Sequence, residues 1–321
     1  MNVQVAQNLA TAGVGAVSVY FLREWFKGGV CTSQARMDGQ TVVITGCNVG
    51  IGKETALDLS QRGAKVVMAC RNLELAHKAA DDIRQATQGN VVVYQCDLAN
   101  LKSVRRFAQE VNEKEERIDV LINNAGVMMC PYSKTEDGFE MQIGTNHLGH
   151  FLLTNLLLDK IKASAPARIV HVSSRAHERG QMDLDDLQWE KKKYNSMNAY
   201  GQSKLANVLF SNELARRLHG TGVTSNSLHP GVVKTELGRH IEAAIGPLKY
   251  LLYFFVFFFM KNAKEGAQTS IHCAVEETLK EESGKYFSDC KEKEAQPLAK
   301  DEGLAKRLWE LSSKLVNLNE S

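Results

Sequence analysis

One pattern recurs along this chain and limits what it can fold into. A short apolar run rich in β-branched residues is followed by a polar turn, then by a longer stretch with apolar residues at helical spacing. The runs are Thr41–Thr45, Lys65–Cys70, 91–96, 118–123, 168–173 and 223–228, with a candidate seventh at 285–288. Helical spacing is read at 73–86, 104–111, 149–161 and 199–218, and from Ile51 to Leu59, with Gly63 as a terminating glycine. Apolar strands alternating with helices predict a parallel sheet covered on both faces. A length of 321 residues permits one α/β unit. The charge is balanced, 39 Lys+Arg against 37 Asp+Glu, so no basic stripe points to nucleic acid. The seven cysteines are odd in number and form no C-x-x-C pair. They read as free thiols, with no disulfide framework and no metal site expected.

The first strand-to-helix turn carries Gly46, Asn48, Gly50, Ile51 and Gly52, spaced Gly-x3-Gly-x-Gly. Glycines there let the backbone approach a pyrophosphate, which faces the amides and dipole of the next helix. The fold predicted is thus a doubly wound Rossmann sheet with a dinucleotide on that loop. The residue ending the second strand chooses the dinucleotide. An acid there would bind the ribose 2′-hydroxyl of NAD, but this chain has Arg71, and a guanidinium suits the 2′-phosphate of NADP(H). Lys53 is a candidate second cation. Asp97-Leu98 follows the third strand, where a carboxylate meets the adenine amino group or simply makes a turn or helix cap. Asn124, Ala125 and Gly126 end the fourth strand, and Pro230, Gly231 and Thr235 follow the sixth. Both are candidate cofactor contacts, with an ordinary strand-ending turn as the alternative.

Tyr200 and Lys204 lie four apart in the stretch 199–218, on one face of a helix. An ammonium near a phenol favours the phenolate and draws its pKa down from about 10, as a general acid–base near neutral pH needs. Ser174, ending the fifth strand, is placed to hold a substrate oxygen beside that phenol. Asn146, where a helix should begin, either holds a water leading from Lys204 to solvent or caps the helix. His147, His150 and His171 form no H-E-x-x-H motif and read as structural.

Two apolar segments fall outside the alternating pattern. Residues 9–22 contain no charge, and Arg23 and Lys27 follow. They read as a membrane anchor with the body facing the cytosol, or as a buried helix. Residues 248–260 (LKYLLYFFVFFFM) are aromatic nearly all round, as a lid on an apolar pocket, a bilayer contact or a packed core helix would be. The expected organisation is a membrane-associated segment over 1–30 and a catalytic unit over 39–321, with a lid at about 236–265.

These motifs resemble those of the short-chain dehydrogenase/reductase family: the glycine loop, Asn123-Asn124-Ala125-Gly126, Ser174 and Tyr200-x3-Lys204, over about residues 39–288. Longer stretches are similar to the retinol dehydrogenases of types 11 to 14, among them GVMMCPY from Gly126, NHLGHFLL from Asn146 and GKYFSDC from Gly284. The resemblance implies Tyr200 as proton donor and acceptor, Lys204 on the cofactor ribose, Ser174 on the carbonyl and Asn146 completing a tetrad. It implies NADP(H) and a retinoid aldehyde or alcohol, with other lipid aldehydes as alternates. It further implies the endoplasmic reticulum membrane, or the mitochondrial inner membrane, where LGRH from Leu237 is similar to the type 13 branch. Pairing with a second copy of the chain stays open. Cys47 stands where the family pattern expects alanine. A steroid dehydrogenase would share every catalytic residue. A methyltransferase would share the glycine loop but not need Tyr200 and Lys204, and a non-turning-over scaffold would keep only cofactor binding.

Overall fold

The computed structural model describes residues 22–24, 26–234 and 260–318. The strands are β1 (Thr41–Thr45), β2 (Lys65–Cys70), β3 (Val91–Gln95), β4 (Val120–Asn123), β5 (Ala167–Val172), β6 (Val223–His229), β7 (Tyr286–Ser288) and β8 (Lys291–Lys293). The main helices are α1 (Gly50–Gln61), α2 (Leu73–Thr87), α3 (Leu101–Lys114), α4 (Gly149–Ala163), α5 (Ser196–Arg217), α6 (Ala263–Val275) and α7 (Glu302–Leu315). They build one sheet in the order β3-β2-β1-β4-β5-β6-β7-β8. The order reverses between β1 and β4, the switch point where ligands sit in doubly wound sheets.

The sheet is not wholly parallel. β1 to β7 pair in parallel, but β8 returns antiparallel to β7 through a tight turn. Its sequence, Lys-Glu-Lys, is fully exposed, so no apolar alternation marked it, and its charges blunt the sheet edge. Val42 and Ile44 face one core with Ala56 and Leu59 of α1 and Ile271 of α6. Val43 and Leu121 face the other, with Phe107 of α3 and Phe151 of α4. Removing the fully buried Phe151 ring would cost about 3–5 kcal/mol. A third cluster joins α5 to α7 through Leu205, Leu209 and Leu308. Because α5 lies between two apolar layers, 15 of its 22 residues are buried, and this takes Lys204 out of water.

The anchor and lid segments fall largely outside the described residues, as does Thr235. Their described flanks meet on one side of the fold. Arg23 forms an ion pair with Glu265 at 2.7 Å, at the start of α6. Lys261, paired with Asp289 at 2.5 Å, bridges Val233 through the backbone. A Cβ on Gly29 would fall 1.9 Å from the Asp289 carbonyl oxygen, so Gly28 and Gly29 run against the same point.

Candidate active site

At the C-terminal ends of β1 and β2 the backbone does most of the work. Gly46 and Gly50 have φ of +63° and +59°, a region costly for other residues. A Cβ on Gly46 would lie 2.7 Å from the Ala125 Cβ, and one on Gly52 2.5 Å from Asn124 Nδ2. The loop is therefore packed directly on the segment after β4. Asn124 Nδ2 reinforces this by donating to the carbonyls of Thr45 at 2.8 Å and Gly46 at 3.0 Å. Cys47 is buried with its Sγ 3.1 Å from the Ile44 carbonyl, so the departure from alanine points into the core.

The start of α1 differs from the other helices that begin in loops. Asn72, Asn100, Asn195, Asn262 and Asp301 cap α2, α3, α5, α6 and α7 with their side chains. Val49 offers no side-chain cap to α1, and its first turn has no acid. Free N–H groups at a helix start, with the dipole behind them, favour an anion. Arg71 follows β2, is exposed, and makes no described hydrogen bond or ion pair. Lys53, expected beside it, instead pairs with Asp82 at 2.6 Å and holds that carboxyl below its usual range. The Asp97 carboxylate accepts from the Ala99 N–H at 3.0 Å in a turn, and Asn100, not Asp97, caps α3. Leu98 is buried, its carbonyl against Gly149. Ile51 packs near Gly266 of α6, and Asn48 is half-buried in the loop. Pro230 is buried, and Gly231, at φ +96°, lies against the Lys261 side chain.

Around β4, β5 and α5, side chains hold one another. Ser173 donates to the Lys204 carbonyl at 2.7 Å, which fixes α5 to the end of β5. Ser174 begins a short 3-10 turn and accepts from the Ala176 N–H at 3.2 Å. Tyr200 and Lys204 are buried, and Lys204 Nζ donates to the Val172 carbonyl at 3.0 Å, 5.8 Å from the Tyr200 ring centre. Gly126 leaves space above that ammonium: a Cβ there would stand 3.5 Å from Nζ.

The electrostatics differ from the expectation of an acidic phenol. Burial pushes Tyr200 up to about 12, with only the hydrogen bond to Ser174 pulling it down. Burial also lowers Lys204 to about 8. In the protein alone, burial of the phenol outweighs the pull of the Ser174 hydrogen bond, so the phenol is firmly protonated at neutral pH.

Asn146 is not a helix cap. Glu140 caps this region, accepting from the N–H groups of Gln142 and Ile143. Asn146 lies in a π-helical segment, Gly144–Leu148, that runs into α4, a form favoured at functional sites. Its Oδ1 accepts from the Val127 N–H at 2.8 Å, and its Nδ2 donates to the Val127 carbonyl and to Ser203 Oγ, both at 2.9 Å. Ser203 in turn donates to the Tyr200 carbonyl at 2.8 Å. The sequence reading missed Ser203 and Val127, although Ser203 lies three residues after Tyr200 on the same helix. Among the described residues no cluster of ligands fits a metal ion.

Comparison with known proteins follows this geometry. Residues 40–246 match the short chain dehydrogenase family. The chain is 52% identical to human retinol dehydrogenase 13 over 319 residues, covering 97% of this chain and 94% of that protein. An uncharacterized protein from Mycobacterium paratuberculosis has the same fold, with a TM-score of 0.74 and 38% identity over 90% of this chain and 98% of its own. RhlG of Pseudomonas aeruginosa, solved as an active-site complex with NADP, has a TM-score of 0.62 and 25% identity over 78% of this chain and 95% of its own. With the glycine loop, Ser174, Tyr200 and Lys204 assembled on one sheet edge, this chain belongs to the short chain dehydrogenase family of oxidoreductases.

Proposed function

We propose that the chain is an NADP(H)-dependent oxidoreductase that interconverts retinal and retinol. The observation that carries this reading is the convergence of buried Tyr200 and Lys204 with Ser174 at the edge that also bears the uncapped start of α1. The residues fit the cofactor. Gly46, Asn48, Gly50, Ile51 and Gly52 leave backbone amides for the pyrophosphate. Arg71, with no partner among the described residues, supplies a cation for a 2′-phosphate, with Lys53 a weaker contributor because Asp82 engages it. Asp97, Leu98, Asn124, Ala125, Gly126, Pro230, Gly231 and Thr235 are proposed to line the rest of the site, with Lys204 on the ribose. When bound, the nicotinamide supplies the hydride that reduces the carbonyl carbon.

The chain's own residues handle the proton. Tyr200, kept protonated by burial, donates its hydroxyl proton to the carbonyl oxygen, completing R-CHO to R-CH2OH with the hydride. Ser174 holds the same oxygen by a hydrogen bond. Lys204 stabilises the phenolate left behind, and Asn146 keeps α5 in register with the segment after β4. In the reverse direction Tyr200 takes the proton back, and the cellular cofactor ratio sets which direction prevails.

A retinoid is supported by the name of the human relative, retinol dehydrogenase 13, and by the apolar segment 248–260. A membrane surface as partner is supported by the apolar sequences 9–22 and 248–260, whose described flanks carry the ion pairs Arg23–Glu265 and Lys261–Asp289. An apolar aldehyde dissolved in a bilayer is the substrate this reading expects. The endoplasmic reticulum membrane, with the body in the cytosol, is the proposed location. Purified full-length chain should be assayed with NADPH and NADH side by side, on all-trans-retinal and on a steroid ketone. Retinal reduction preferring NADPH is expected. Steroid turnover exceeding that of retinal, or equal use of NADH, would sink the substrate or cofactor assignment respectively.

A further inference from the structure

The hydrogen bonds around Thr45 fix where His150 carries its proton. A threonine hydroxyl has one proton and two lone pairs. The backbone N–H groups of Asn124 and Ala125 donate to Thr45 Oγ1 at 2.9 and 3.0 Å. With both lone pairs used, the hydroxyl can only donate. His150 Nε2 lies 2.8 Å away and the Ile122 carbonyl 3.5 Å away. The longer contact exceeds the usual O–H range, which ends near ~3.0 Å. Nε2 is therefore the acceptor and carries no proton. The ring is neutral: burial lowers it to about 4, the Lys204 charge assists, and the bond to Asn146 opposes. Its single proton then sits on Nδ1, 3.0 Å from the Asn146 carbonyl, to which it donates.

We propose that His150 is a positioning residue, joining Thr45 at the base of the glycine loop to Asn146 through its Nδ1–H tautomer. Asn146 lies in the π segment, where regular pairing of carbonyls with N–H groups four residues on is interrupted. Its side chain then ties Val127 to Ser203, and Ser203 to the Tyr200 carbonyl. One continuous chain of hydrogen bonds thus runs from the cofactor loop to the helix bearing the phenol. This rests on the reading of Tyr200, Lys204 and Asn146 given above.

The test has two arms. Nitrogen NMR of the full-length chain with labelled histidine reads the tautomer without turnover. At His150, Nδ1 should be pyrrole-type and Nε2 pyridine-type, and the opposite pattern would overturn the proposal. For kinetics, asparagine places an amide nitrogen near the Nδ1 position and glutamine near Nε2. Each variant keeps one link and breaks the other, so both should lose kcat at least about tenfold, with the NADPH dissociation constant within about twofold. If either variant keeps kcat within about threefold, or both lose it only in proportion to their melting temperatures, His150 only fills space and the proposal fails. A parent chain without turnover would overturn the functional reading, while the nitrogen assignment would still be read directly.

Discussion

Around β4, β5 and α5 the polar side chains are buried and bonded to one another. Around the ends of β1 and β2, Arg71 has no described partner and the first turn of α1 has no side-chain cap. Asn146, Ser203 and Lys204 find their partners within the chain, mostly at 2.8–3.0 Å. Those three side chains are held from within the chain. The second region awaits an anion. The difference separates the two tasks of a dehydrogenase: side chains that move protons must be preorganised, whereas a loop that binds phosphate must leave its donors free.

Substitutions should therefore act on one region's task and spare the other's. Tyr200→Phe should lower kcat by about a thousandfold or more, with NADPH binding within about twofold, measured by turnover and fluorescence titration. Equal loss of both would merge the two regions. Arg71→Asp should weaken NADPH binding by about a hundredfold and spare kcat at saturation, while NADH improves. Acidity offers a finer cut. Because burial lowers Lys204 to about 8 from its ordinary 10.5, kcat/KM should fall about tenfold per pH unit above 8. The folded state binds fewer protons than the unfolded one between those values, so this group's contribution to stability rises with pH across that window. Activity lost above pH 8 with the fold intact by circular dichroism is the expected result. Lys53→Met should be mildest, under about threefold in NADPH affinity, because Lys53 forms a partly exposed pair with Asp82.

The sequence showed the strands most clearly where burial was complete. Thr41–Thr45 and Lys65–Cys70 were read to the residue, because buried parallel strands are continuous apolar runs. The C-terminal third was less legible. Ala263–Val275 is rich in small residues, and its clearest signal, Asn262 and Glu265 in a capping box, was not read. Leu304, Ala305, Leu308 and Trp309 mark α7 at helical spacing behind the Asp301 cap, and were also passed over. The π segment over Gly144–Leu148 has no local signature, since it is set by Glu140 and by the pairing of Asn146 with Val127. The glycine loop, Arg71, Asn124 and Ser174 were legible as candidates because each follows a strand, and Tyr200 and Lys204 because they lie four apart on one helix. Their protonation was not: the phenol's shift to about 12 comes from the layers burying α5, and Tyr200-x3-Lys204 spacing contains no such information.

The most direct measurement is a crystal structure of the full-length chain with NADPH and an unreactive retinoid bound. The account predicts the 2′-phosphate on Arg71, the pyrophosphate on the first turn of α1, and the Tyr200 hydroxyl within hydrogen-bonding distance of the retinoid oxygen, beside nicotinamide C4. A nicotinamide ring remote from Tyr200, or a phosphate held away from Arg71, would contradict it.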